Sequence, residues 1–202
     1  MGKRASNTQE RILATAEQII LCKGFSGTSI DEIIDKAAIT KGGFFYHFEG
    51  KVDLARRLIL RYLEQDAKLF GDLFEQADQL SEDPLQQLLI FLKLFANAIE
   101  RLEETHPGCL VAGLTYENQQ FDEEIRELIR AGVTSWRELI LRRLEAVAKQ
   151  RPSKLAVELT ELADMFTTCT EGGLLLARIF NDNRHIVTQL LNYRTHLRLL
   201  FE

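Results

Sequence analysis

The sequence predicts an all-α protein of about nine helices, and three observations carry that prediction. Only three prolines occur in 202 residues. Leu, Ala, Glu and Arg, which lose little freedom in a helix, are abundant. Apolar residues recur at steps of three and four along most of the chain, and with 46% hydrophobic residues a substantial core can be buried.

The first helix is predicted from about Thr8 to Lys23, with Ile12, Ala16 and Ile19 facing inward and Gly24 stopping it. Phe25 and Phe48 plug the same small core. Between them, FSGTSIDEIIDKAAITKGGFFYHF reads as two short helices around a tight turn. Thr28 is expected to cap the first, with Asp31 and Glu32 at its positive end and Ile30, Ile33, Ile34 and Ala37 as its apolar face. Thr40 is expected to cap the second, and Gly42 and Gly43 let its backbone approach a partner closely. This is the pattern of a helix-turn-helix DNA reader. Lys41 is the candidate for reading a base edge, guanine N7 and O6 above all, and Thr40 for a thymine methyl or a phosphate. Phosphate contact alone is the plainer reading of Lys41.

Lys51 begins a long helix reaching about Gln76, with Leu54, Leu58, Tyr62, Leu69 and Leu73 along it. Pro84 opens the next, where Leu85, Leu88, Leu92, Phe95, Ile99 and Leu102 recur, and His106-Pro107-Gly108 breaks it. A short helix is expected from Cys109 to about Glu117 and a longer one from Asp122 through Trp136 to about Lys149. In the last two helices Leu155, Leu159, Leu162, Phe166, Cys169, Gly173, Leu176 and Phe180 keep one heptad seam. Ile186, Leu190, Tyr193, Leu197 and Leu200 keep another. Leu174, Leu175, Ala177 and Ile179 make the first of these helices apolar on further sides, so it needs more than one partner, and Gly172-Gly173 permits close approach. A homodimer closed by a four-helix bundle is expected, with Phe166, Cys169, Gly173, Leu176, Phe180, Ile186, Leu190, Tyr193 and Leu197 at its interface. The predicted division is a helix-turn-helix DNA-binding domain at residues 1–50 and a ligand-binding and dimerisation domain at residues 51–202.

The segment TKGGFFYHF followed by GKVDL resembles the N-terminal signature of the TetR/AcrR family of bacterial transcriptional regulators. That resemblance covers about the first third of the chain, with the remainder matching in architecture. It implies that Thr28, Thr40, Lys41, Gly42, Gly43, Phe45, Tyr46, His47 and Lys51 form the DNA-binding surface. The resemblance also implies a dimer, a ligand pocket in the C-terminal helices and, by the family's habit, a repressor. Two departures are visible: Ala38 stands where the family usually has Gly in the turn, and Phe45 where it usually has Tyr, with Tyr46 next along to supply a hydroxyl. They leave open a second reading, a ligand- or partner-binding module of the same fold that has lost DNA binding.

The net charge of −5 divides unevenly. Residues 1–60 hold nine Lys/Arg against seven Asp/Glu, and residues 61–202 hold sixteen against twenty-three, giving +2 and −7. The surplus lies with the motif, so phosphate attraction is expected from a few placed groups: Lys3, Arg4, Lys41, His47 and Lys51. A two-fold dimer would set two readers about 34 Å apart and select an inverted repeat in double-stranded DNA.

Phe91, Phe95, Tyr116, Trp136, Met165 and Phe166 are candidates to line a pocket for a small-molecule effector, with core packing as the plainer reading of each. Cys109 is a further candidate. It follows Pro107-Gly108 near a helix start, where the helix dipole favours thiolate, and GCLVAGL resembles a segment of family members that sense reactive electrophiles. A buried structural thiol is the alternative, and Cys22 and Cys169 read as structural. Three well-separated cysteines without a CxxC pair suggest neither a disulfide framework nor zinc, and no other metal or cofactor is expected.

Catalysis has little support. Glu49-Gly50-Lys51-Val52 lacks the upstream Gly and the following Ser/Thr of a P-loop, and neither a nucleophile elbow nor HExxH occurs. His106, His185 and His196 are scattered, and the acidic runs read as helix starts and solvated faces. No apolar run approaches the roughly 20 residues of a membrane span, and Lys3 and Arg4 precede polar residues in place of a signal-peptide core, so a cytoplasmic protein is expected.

Overall fold

The computed structural model describes residues 2–202, with side chains from Asn7 onward. The side chains of Lys3 and Arg4 therefore lie outside the described residues. Nine α-helices and one 3₁₀ turn occur among the described residues: α1 (Gly2–Lys23), α2 (Ile30–Lys36), α3 (Lys41–His47), α4 (Lys51–Leu80), α5 (Pro84–Glu100), α6 (Leu110–Thr115), the 3₁₀ turn Asn118–Gln120, α7 (Glu123–Gln150), α8 (Leu159–Phe180) and α9 (Arg184–Phe201).

Local chemistry sets most of the boundaries. Gly24, at φ +82, ends α1 in the left-handed conformation that glycine adopts without a Cβ penalty. Asp83 caps α5 by accepting from the Leu85 and Gln86 amides at 2.9 and 3.4 Å, with Pro84 in the first turn where no amide is needed. Asn181, at φ +53, closes α8. Cys109 occupies the N-cap of α6, its Sγ accepting from the Ala112 amide at 3.4 Å. Leu155 and Leu102 fall outside their predicted helices and are exposed: the first lies before α8 begins, the second after α5 has ended.

The chain forms two compact units that do not divide at residue 50. The first comprises residues 1–65 together with 109–132, the second residues 66–108 together with 133–202. In the first unit Ile12, Ala16, Ile33, Phe44, Phe48, Leu54 and Leu58 are buried with Leu110, Leu114, Phe121 and Ile125 from the later segment. Arg61 joins α4 to α1 through Glu10 and Glu17.

In the second unit α9 packs on both α5 and α8. A ring cluster occupies its interior: Phe74 stacks on Phe91 at 3.8 Å, and Phe70 meets Phe95 at 5.3 Å and Phe166 at 6.0 Å. Tyr193 is fully buried and donates its hydroxyl to the Leu162 carbonyl at 2.8 Å; burial pushes its phenol pKa far up. At Gly173 an added Cβ would lie 2.8 Å from the Cα of Ile186, so α8 and α9 approach where a larger residue would not fit.

That packing places most of the predicted interface residues in the core of their own chain. Ile186, Leu190, Tyr193 and Leu197 are fully buried within their own chain, and Phe166 and Gly173 are buried with them. The α9 seam is covered by α5 and α8 of its own chain, while Leu199 on the same helix is exposed. Cys169 and Leu176 are half-buried. The apolar side chains that α8 does present outward are Leu175, Ile179 and Phe180, each about three-fifths exposed.

Candidate nucleic-acid interface

The interface is built on α3, a helix of seven residues held by its ends and by one face. Thr40 has extended backbone (φ −88, ψ 159) and accepts from the Gly43 amide at 3.0 Å, as its predicted capping role requires. Phe44 is fully buried, with its ring 5.5 Å from that of buried Phe48. These two anchors fix the rotation of α3 about its axis. Lys41, Gly42, Phe45 and Tyr46 are consequently outward, Phe45 at 48% and Tyr46 at 79% exposure.

Capping of α2 differs from prediction. Ser29 performs it, accepting from the Glu32 amide at 3.1 Å, while Thr28 is buried and donates its hydroxyl to the Gly24 carbonyl at 2.7 Å. Thr28 thus secures the end of α1, and its spent hydroxyl is not presented to DNA. Between α2 and α3, Ala38 adopts φ +50, so the turn does take the left-handed residue that the family supplies with glycine.

The glycines of α3 have different local reasons. A Cβ on Gly43 would meet the capping Thr40 Oγ1 at 3.3 Å, whereas a Cβ on Gly42 would meet nothing within 4 Å. Nothing inside the chain demands glycine at position 42, and the open space beside it is available to another molecule. Lys41 extends from the same turn, 3.5 Å from Asp31 Oδ1 with both side chains exposed; such a pair contributes little and yields readily to a phosphate or a base. His47 is half-buried against Tyr46 and Phe48.

Lys51, predicted to meet phosphate, is half-buried at the start of α4 and packs on a ring of its own chain. Its ammonium lies 4.2 Å from the centre of the Phe25 ring. Burial lowers its pKa, against the opposing attraction of Glu117. The ring of Phe25 is 4.8 Å from that of Phe121. Glu117 itself was not singled out by the sequence, where it is one glutamate among many at the end of a short helix. Its Oε1 accepts from the Phe25 amide at 2.7 Å, and its Oε2 accepts from the Ser26 amide at 2.7 Å and from the Ser26 hydroxyl. Burial raises the Glu117 pKa, but the Ser26 and Phe25 donors and Lys51 outweigh it and hold the carboxyl below its ordinary value.

Of the predicted ligand-lining residues, the structure brings Phe91, Phe95 and Phe166 together in the ring cluster of the second unit, where they pack on one another. Trp136 is buried and Met165 half-buried. Tyr116 is a correction: at the C-cap of α6 it is 90% exposed and lines no interior. Cys109 is buried with its sulfur engaged in the cap, and burial raises the Cys169 thiol pKa. A surface groove of about 450 Å³ beside Phe74, Asp78 and Arg143 includes none of the predicted residues. Among the described residues no group of three or more His, Cys, Asp or Glu side chains is arranged to hold a metal ion, and no helix is long and apolar enough to cross a membrane.

Comparison with known proteins agrees with this geometry. Residues 12–58 match the family model for bacterial regulatory proteins of the tetR family, and residues 84–190 match a tetracyclin repressor-like C-terminal domain. An uncharacterised HTH-type transcriptional regulator of Lactococcus lactis is 26% identical over 188 residues, covering 87% of this chain and 86% of that protein. The HTH-type transcriptional repressor NemR of Escherichia coli is 25% identical over 139 residues, covering 69% of this chain and 68% of its own. The crystal structure of a TetR transcriptional regulator from Chloroflexus aurantiacus superposes with a TM-score of 0.81 at 24% identity, covering 98% of each chain. With more than half of its length matched by one such model and its reader helix by the other, the chain belongs to the TetR family of bacterial transcriptional regulators, DNA-binding proteins and not enzymes.

Proposed function

We propose that this regulator is a repressor that binds an inverted-repeat operator as a homodimer and is released by a small-molecule ligand or a reactive electrophile. The observation that carries the DNA half is the outward face of α3: a capped helix that turns Lys41, Tyr46 and the open backbone at Gly42 away from its own core. In this reading Lys41 reaches a base edge, while Tyr46 and Thr40 meet phosphate. NemR and other relatives carry the name repressor, which supports that sign of regulation.

Dimerisation is assigned to the outward apolar face of α8, Leu175, Ile179 and Phe180, in place of the buried seam. Release requires that the effector prefer the DNA-incompetent state; moving the population from mostly bound to mostly free takes about 5 kcal/mol of differential affinity. Among the predicted ligand residues, Cys109 is the one with electrophile chemistry. Alkylation of its sulfur would remove the acceptor that caps α6.

Selection of sites from a random DNA pool tests the reading. The expected product is one inverted repeat bound by two chains, with affinity falling steeply as salt rises. Well-folded protein, freed of co-purified ligand, that enriches no sequence would refute it and favour the binding module without DNA.

A further inference from the structure

The corner between α1 and α2 is held from outside the helix-turn-helix sequence. The Gly24 amide is used by the Ile20 carbonyl at 2.8 Å, after which the amides of Phe25 and Ser26 have left the helix and lie beyond its ladder. Both go to the carboxylate of Glu117, which lies 92 and 91 positions further along the chain and also accepts the Ser26 hydroxyl. Gln120 donates to the Ser26 oxygen from the same segment. Three charge-assisted donors on one carboxylate make a strong and directional attachment. The fit is close: a Cβ on Gly24 would fall 2.8 Å from Glu117 Oε1. Beneath the corner, the Phe25 ring meets Phe121 and the Lys51 ammonium, so the end of α1, the start of α4 and residues 117–121 converge on one ring.

From this we infer that Glu117 is a positioning residue for operator recognition: its carboxylate sets the α1–α2 corner, and with it the pose of α2 and α3, from a segment outside the helix-turn-helix. The inference rests on the DNA-binding reading proposed above. Its physical basis is that α2 starts at Ile30, four residues after Ser26, leaving little chain to absorb a displacement. Releasing the corner lets the reader sample poses in which Lys41 and Tyr46 miss their groove. Lys51, turned onto Phe25 at 4.2 Å, belongs to the same joint.

The test compares operator affinity across a salt series for the parent, Glu117→Ala, Ser26→Ala and the double variant, with thermal unfolding measured alongside. Glu117→Ala is expected to weaken binding about tenfold. The salt slope should stay unchanged, because no phosphate contact is lost. Ser26→Ala should weaken it less, and the double variant should be no worse than Glu117→Ala alone. Glu117→Gln, which keeps an acceptor oxygen, should recover part of the loss. Parental affinity in folded Glu117→Ala, additive effects in the double variant, or a changed salt slope would each overturn the assignment. Should Glu117→Ala fail to fold, Ser26→Ala and Glu117→Gln decide, and parental affinity in both overturns it. A parent that selects no operator removes the DNA-binding reading and this inference with it; a binding parent beside indifferent variants removes the inference only.

Discussion

Ala38 holds φ +50, a left-handed backbone that a residue with a Cβ adopts at a cost of about 1–2 kcal/mol. Glycine there removes the strain but adds unfolded-state entropy of about 0.5–1 kcal/mol. Ala38→Gly should therefore raise the unfolding midpoint by a net stabilisation of up to about 1 kcal/mol; a lower midpoint in denaturant titration would show that the turn carries no such strain. The position was legible before the structure, because the family resemblance supplies glycine at that site. Thr28 and Ser29 were not separable in the same way, since adjacent hydroxyls both satisfy a capping pattern and only the backbone direction decides which one faces the helix. His106 makes a second residue-scale case. Its amide donates to Asn183 Oδ1 at 2.8 Å, its Nδ1 accepts from the Gly108 amide at 3.2 Å, and burial lowers its pKa from the ordinary 6.5. The unfolded chain therefore takes up this proton more readily than the folded one, so the stability tied to neutral His106 is present above about pH 6.5 and is lost as pH falls through the lower folded value. Thermal unfolding from pH 8 to pH 5 should show a smaller acid-side loss in His106→Gln than in the parent.

At the scale of elements, periodicity identified the helices and missed their partners. The steps of three and four in α5, α8 and α9 were plain in the sequence, yet a heptad seam looks the same whether a second copy or the chain's own α5 covers it. Tyr193, buried with its hydroxyl on the Leu162 carbonyl, shows which of the two occurred. Gly173 is the tightest point of that packing, and the neighbour a side chain would strike is backbone, which cannot rotate away. Gly173→Val should destabilise the protein by about 1–3 kcal/mol, read as a lower denaturant midpoint; an unchanged midpoint would mean that α8 and α9 separate more easily than the contact implies. Gly172, one position earlier with nothing within 4 Å of its Cβ, is the matched control and should tolerate alanine.

At the scale of the whole molecule, the proposed homodimer joins two chains through the exposed apolar side chains Leu175, Ile179 and Phe180 of α8. Leu175→Glu with Ile179→Glu places charge on outward positions, so folding should survive while sedimentation shows monomers. Operator affinity should then fall by about a hundredfold or more, because the second reader no longer binds as a tethered partner; an intact dimer would move the interface elsewhere. The charge division, +2 over residues 1–60 and −7 over the remainder, was readable from the sequence and sets the basic surplus beside the helix-turn-helix. The attachment of residues 109–132 to the first unit was not readable, because no local pattern ties Glu117 to Phe25 across 92 positions.

That attachment bears on how the protein is made. A ribosome delivers Phe25 long before Phe121, and at about 5–20 residues per second the 67 positions from Gln65 to Gly132 take roughly 3–13 s to synthesise. Through that interval the nascent end has its α1, α2 and α3 sequences but lacks the cover of Leu110, Leu114, Phe121 and Ile125. Its apolar side chains stay open to chaperones or to other nascent chains until translation passes Gly132. The N-terminal stretch that holds the helix-turn-helix thus ends 67 positions before the end of the segment that completes its core.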